Sequence, residues 1–170
     1  MNVIEAIRTK RAVRTYRDDP LPEDIVRTIL HAGRRSQSAK NDQPWHFLAI
    51  RDRATLGALA ATSPNIAYIA NAALCVGLVT PPPSQKKTIL FDAGQAAACM
   101  QLAAWELGVV SCLGTVWEPE KARALLGLPG DRQVDLVVAF GYPLREDAEP
   151  RRGRKGGRRD LDDVVRWERW

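Results

Sequence analysis

The stretch from Thr88 to Gly108 constrains the fold more than any other part of the chain. It is long enough for a helix of about six turns, and Gly108 supplies a C-terminal stop. Its middle is crowded with small residues: Ala93, Gly94, Ala96, Ala97, Ala98, Ala103 and Ala104. Small side chains admit another helix or a sheet at close range, and a helix that is apolar nearly all round has to be buried. The pattern predicts a central helix covered by the rest of the domain or by a second subunit.

What surrounds that helix is mixed. Asn71 to Val79 (NAALCVGLV) is a nearly continuous apolar run between turn signals, as expected of a strand buried on both faces. His46–Ile50 and Val134–Phe140 read as two further strands. Asn2 is an N-cap with Glu5 at the third helical position, and Val3, Ile4 and Ile7 carry a short helix to about Thr9. A second helix opens at Glu23 and Asp24, runs through Ile25, Val26, Ile29 and Leu30, and is expected to end at Gly33. A third spans about Arg53 to Ala61. Pro81-Pro82-Pro83 forces an extended loop. Helices and strands without strict alternation predict an α+β fold, with helices flanking a mixed, mainly antiparallel sheet. A length of 170 residues suits one domain over residues 1–170. From about residue 145 the chain becomes a Gly- and Arg-rich tail, until Leu161, Val164, Val165 and Trp167 resume an apolar spacing. Such a tail is expected to pack on something, a partner subunit being the candidate.

Composition excludes several functions. The chain carries a net charge of +5, but its basic residues gather near Arg8–Arg17 and Arg151–Arg159. No zinc spacing, RNP pattern or basic zipper accompanies them, so no nucleic-acid partner is expected. No run of about 18 apolar residues is present, and no membrane span is expected. The opening MNVIEAIRTKRAV has no apolar core behind its charges, which predicts a cytoplasmic protein. Three cysteines, Cys75, Cys99 and Cys112, sit among apolar or small residues and read as buried thiols. His31 and His46 fall in no metal-ligand spacing, and neither G-x-x-x-x-G-K-S/T nor G-x-G-x-x-G occurs.

Three segments could carry chemistry. Lys10-Arg11-Ala12-Val13-Arg14-Thr15-Tyr16 offers forked cations suited to a phosphate monoester, or else a solvated basic turn. Ser36 to Trp45 offers hydroxyls, amides and an aromatic in a loop before a strand, or else a capping loop with Trp45 in the core. Arg158 and Arg159 could return basic groups to the same anion, or belong to a charged linker.

Taken in order, these segments resemble the FMN-dependent nitroreductase family over almost the whole chain. Lys10 to Tyr16 matches an R-R-S-x-R-x-F/Y stretch, and Ala32 to Phe47 matches A-x-x-A-P-S-x-x-N-x-Q-P-W-x-F. Asp92 to Gly108 matches D-x-G-x-A-x-Q-x-L-x-L-A-A-x-x-L-G. Gly141-Tyr142-Pro143 and an R-x-x-L-x-x-V-V ending complete the series.

The resemblance implies an intertwined homodimer whose C-terminal tail embraces the partner, with FMN at the interface. It assigns Lys10, Arg11, Ala12 and Arg14 to the flavin phosphate and ring edge. Gln37, Ser38, Ala39, Asn41 and Gln43 would reach the flavin from the other subunit, and Cys112, Leu113, Gly114 and Thr115 would lie near its ring. Arg158 would close on the phosphate, with Lys155 or Arg159 as a second cation, since Gly156 stands where one is common. Ala12 replaces a serine and Gln37 a proline, so the flavin edge is contacted differently. The chain is short for the family and lacks the helical insertion that covers the substrate.

The implied reaction takes a hydride from NADH or NADPH to flavin N5. Electrons then pass to a small nitroaromatic, quinone or related acceptor by a ping-pong scheme. No side chain is required as the essential acid or base, because the flavin carries the chemistry. Alternatives on the same scaffold are a flavin-binding protein without turnover, or an enone-reducing or dehalogenating enzyme.

Overall fold

The computed structural model describes residues 1–144 and 158–170. Its centre is β2 (Leu74–Thr80), every residue of which is buried. β2 lies between β1 (His46–Ile50) and β4 (Gln133–Gly141), and β3 (Val110–Thr115) follows β4, giving the order β1-β2-β4-β3. All three pairings are antiparallel.

Strand alternation sorts the apolar residues on to two faces. Leu74, Val76, Leu78, Val138 and Phe140 pack with Val26, Ile29, Ala93, Ala96, Ala97 and Met100. That face is covered by α2 (Glu23–Arg34) and by α4 (Thr88–Glu106), which pack against each other. Cys75, Val134, Val137 and Ala139 turn to the opposite face, with Leu56, Leu59, Ile66 and Ala122. There α3 (Arg53–Ala60), a 3-10 stretch Pro64–Asn71 and α5 (Pro119–Leu125) form the cover. The expected α+β arrangement of helices on a mainly antiparallel sheet is the one observed.

The small helix α1 (Val3–Thr9) starts at Asn2, whose side chain accepts from Glu5 N–H at 2.9 Å. It packs on α4, where Trp105 Nε1 donates to Thr9 Oγ1 at 3.0 Å. The last helix is a single turn, α6 (Leu161–Val164).

Three local expectations need correction. Gly33 does not end α2, which continues to Arg34. A Cβ at Gly33 would lie 2.8 Å from Met100 Cγ and 3.1 Å from Phe47 Cζ, so the glycine serves close helix packing instead. The apolar run read as Asn71–Val79 begins its strand only at Leu74, because residues to Asn71 belong to the 3-10 stretch. Val110–Thr115, which the spacing left unassigned, is a full strand.

Candidate functional site

The basic segment after α1 is laid along the outer edge of β3. Ala12 bridges Ser111 in parallel fashion, and Val13 N–H donates to Ser111 C=O at 3.0 Å. Tyr16 anchors the far end, bridging Pro143 and packing on Gly141, where a Cβ would meet its ring at 2.9 Å. The segment therefore presents its cations at a fixed height beside the sheet. Lys10 is half-buried; desolvation lowers its pKa below 10.5, opposed by the nearby Cys112 sulfur. Arg11 Nη1 donates to the carbonyls of Arg8 at 2.7 Å and Lys10 at 2.9 Å. The Arg14 guanidinium sits over the Tyr68 ring, 5.6 Å from its centroid. Among the described residues, none of these three cations pairs with a carboxylate.

β3 is held from the other side by the 3-10 stretch. Tyr68 OH donates to Cys112 C=O at 3.3 Å, and Asn65 Nδ2 donates to Thr115 C=O at 2.9 Å. Gly114 makes this contact possible, since a Cβ there would lie 2.3 Å from Ile66 Cγ2 and 2.8 Å from the Tyr68 hydroxyl. Cys112 and Gly114 are buried by this packing, while Leu113 and Thr115 on the opposite face stay exposed. Leu113 thus leaves an apolar side chain in solvent, while Thr115 Oγ1 accepts from Asn65 Nδ2 at 3.2 Å.

The loop before β1 carries backbone strain. Lys40, Asn41 and Gln43 have φ of 54°, 58° and 47°, a left-handed conformation that costs a non-glycine residue about 1–3 kcal/mol. It is secured from α4. Asp92, 1 % exposed, takes the Ala39 N–H on both carboxylate oxygens at 3.2 Å each. Gln37 Nε2 donates to Gln95 Oε1 at 2.7 Å, Gln43 N–H donates to Ser38 Oγ at 3.0 Å, and Lys86 pairs with Asp42. Trp45 is buried and stacks on Phe47 with ring centroids 6.2 Å apart.

Among the described residues, Arg14 and Gln43 line different cavities. Arg14 lines one of about 490 Å³ with Tyr16, Asp18, Arg53 and Asn71. Gln43 lines another of about 830 Å³ with Arg27, His31, Arg34, Trp45 and His46. Arg158 and Arg159 are exposed, and Lys155 and Gly156 lie outside the described residues. His31 and His46 are exposed on α2 and on the free edge of β1. All three cysteines are free; Cys75 and Cys112 are buried, and burial pushes the Cys75 thiol up to about 12. Among the described residues no His, Cys, Asp and Glu cluster could hold a metal, and no helix is long and apolar enough to cross a membrane.

The sequence did not single out Tyr68 or Asn65. Both lie in a stretch without helical or strand periodicity, and only the β3 packing gives them meaning. Asp92 stood in a recognised motif, but its task of pinning the strained loop was not readable from spacing.

An antiparallel sheet between helix layers, with cations that among the described residues meet no carboxylate laid along its β3 edge and an amide-rich loop braced by the central helix, defines the class of α+β proteins to which this chain is compared. Residues 7–87 and 58–142 match the nitroreductase family, and the chain belongs to it. It is 33% identical to an NADH dehydrogenase of Thermus thermophilus, over 93% of this chain and 92% of that one. It is 31% identical to a putative NADH dehydrogenase/NAD(P)H nitroreductase of Methanothermobacter thermautotrophicus, over 100% of this chain and 88% of the other. Among solved structures, an FMN-dependent nitroreductase of Clostridium difficile superposes with a TM-score of 0.84 at 23% identity, covering 99% and 100% of the two chains. The NADPH:FMN oxidoreductase of Vibrio harveyi superposes with a TM-score of 0.81 at 21% identity, over 98% of this chain and 77% of that one.

Proposed function

We propose that this protein is an FMN-dependent oxidoreductase that carries electrons from NADH or NADPH to small nitroaromatic, quinone or related acceptors. The observation that carries the reading is the set Lys10, Arg11 and Arg14, gathered on the edge of β3 without a carboxylate among the described residues. Cations left uncompensated, one of them desolvated, suit a phosphate-bearing anionic ligand. The curated relatives' names, NADH dehydrogenase and NAD(P)H nitroreductase, supply the electron donor, and a structural neighbour's title supplies FMN.

On this reading Lys10, Arg11, Ala12 and Arg14 hold the phosphate and ring edge, and Cys112, Leu113, Gly114 and Thr115 line the ring. Gln37, Ser38, Ala39, Asn41 and Gln43 reach across from the second subunit, and Arg158 and Arg159 close on the phosphate. Bound FMN supplies a two-electron acceptor at N5, and the protein's part is position and electrostatics.

The active form is a homodimer of one-domain chains whose tails, from about residue 145, embrace the partner. Support comes from apolar side chains left in water: Ile4 is 75% exposed, Phe91 69%, Trp167 80% and Trp170 104%. The groove beside the free edge of β1 is basic and aromatic. The tail carries Trp167 and Trp170, whose rings suit the aromatic lining of that groove on a second copy. We place the protein in the cytoplasm.

The test is spectroscopic. Purified protein is expected to be yellow with one FMN per chain, and to bleach when NADH or NADPH is added without oxygen. A colourless protein that takes up no added FMN overturns the reading.

A further inference from the structure

Tyr68 lies outside every segment singled out by sequence, yet it joins two of them. Its hydroxyl donates to the backbone carbonyl of Cys112 at 3.3 Å. Its ring face carries the Arg14 guanidinium at 5.6 Å. The residue itself is fixed from below, because Ile66 and Ile69 on either side are fully buried in the core. The absent Cβ of Gly114 leaves the space its hydroxyl occupies. The aromatic plane is therefore set by the fold, and Arg14 is set by the plane.

How a cation is held decides what it can do. A carboxylate partner fixes a guanidinium and cancels its charge, whereas an aromatic face fixes it and leaves the charge whole. Arg14 is exposed and its carboxylate-free seat is the Tyr68 ring, among the described residues. Burial, and after it the neighbouring Cys112 thiol, push the phenol's pKa above its ordinary value, and Arg14 opposes them, so the ring stays neutral through the physiological range.

We propose that Tyr68 is a positioning residue that holds Arg14 as an uncompensated cation beside the Cys112–Thr115 strand, so that the site binds reduced, more negatively charged FMN more tightly than oxidised FMN. The inference rests on the cofactor reading above. Tyr68 acts on the potential through Arg14 alone, and its effect is electrostatic.

The experiment measures the two-electron midpoint potential of the FMN-loaded protein, with the FMN dissociation constant, for wild type, Tyr68→Leu, Tyr68→Phe, Arg14→Gln and the double variant Tyr68→Leu/Arg14→Gln. Tyr68→Leu is expected to lose about tenfold in preference for the reduced form, a fall of about 30 mV for a two-electron couple. Arg14→Gln is expected to lose at least as much, and Tyr68→Leu is expected to add nothing in its background, as a shared mechanism requires. Tyr68→Phe, which keeps the ring, is expected to stay near the wild-type potential. If Tyr68→Leu fails to fold, Tyr68→Phe and Arg14→Gln decide: a large fall in the first, or none in the second, overturns the inference. A potential unmoved in folded Tyr68→Leu, or an equal shift with Arg14 already replaced, does the same. Wild-type protein that binds no FMN overturns the cofactor reading as well, whereas loaded wild type with an unmoved variant overturns this inference alone.

Discussion

At the scale of single residues, glycines and one lysine carry the most information. Gly33 and Gly57 both lie inside helices, but their surroundings differ. A Cβ at Gly33 would press on Met100 and Phe47, at 2.8 and 3.1 Å, whereas one at Gly57 meets nothing within 4 Å. Gly33→Ala is therefore expected to destabilise the fold by about 1–3 kcal/mol through overpacking. Gly57→Ala is expected to stabilise it by about 0.5–1 kcal/mol through helix propensity. Thermal melts of the two variants check both signs, and equal shifts would contradict the packing argument. Lys10 yields a prediction about pH. Desolvation lowers its pKa in the fold below 10.5, so the folded chain holds this proton less tightly than the unfolded one. Without ligand, that penalty is relieved and stability rises as pH climbs through the window just below 10.5. An anion bound beside Lys10 reverses the sign, because binding then draws the proton back. FMN affinity is expected to fall with rising pH across that window in wild type, and this component of the slope is expected to vanish in Lys10→Met. Lys10→Met should also bind about tenfold more weakly at neutral pH, the loss of a charge-assisted bond. Titrations of the two proteins with FMN at several pH values decide it.

At the scale of elements, Asp92 shows how the central helix reaches into the site. Its carboxylate is buried and both oxygens take the Ala39 N–H, bracing a loop in which Lys40, Asn41 and Gln43 are left-handed. Asp92→Asn keeps one oxygen to accept that N–H but removes the charge and sets an NH2 donor beside it, which should cost about 1–3 kcal/mol. Faster amide exchange confined to residues 37–43, with weaker FMN binding, is the expected result; unchanged exchange there would remove Asp92 from this role. The same region shows what sequence could tell. β2 was legible because burial on both faces leaves a continuous apolar run, and α4 because its packing against α2 and the sheet leaves a long small-residue run that few other structures produce. β3 was not, because Ser111, Cys112 and Gly114 match no strand propensity, and its exposure alternates only beyond Cys112. Its strand state comes from pairing with β4, a long-range cause. Gly33 misled for a related reason, since a glycine demanded by a neighbouring helix looks in sequence like one that ends its own. Lys10 to Arg14 and the loop at residues 37–43 were found through motif order, while Tyr68 and Asn65 emerged only once the 3-10 stretch was seen against β3.

At the scale of the whole molecule, the two halves of the proposed site raise a question that one chain does not answer alone. Arg14 and Gln43 line different cavities, and α1 and α4, packed on each other, leave Val3, Ile4, Ile7, Leu90 and Phe91 exposed at 69, 75, 61, 40 and 69%. Apolar surface at both ends of α4, on α1 beside Trp105 and on the first turn of α4 itself, is what a subunit contact requires. If a second copy covers it, the loop at residues 37–43 of one chain can meet the Lys10–Arg14 segment of the other, and cofactor binding and dimerisation become one equilibrium. Phe91→Asp separates the possibilities, because an unpaired carboxylate buried in an apolar contact opposes association while costing little on a solvated helix. Wild type is expected to sediment at twice the chain mass of 18.9 kDa. The variant is expected to sediment as a single chain, keep its helical circular dichroism, and lose FMN at concentrations that saturate wild type. A monomeric variant that still binds FMN with wild-type affinity would place the whole site within one chain. A variant that remains dimeric would move the interface away from α1 and α4.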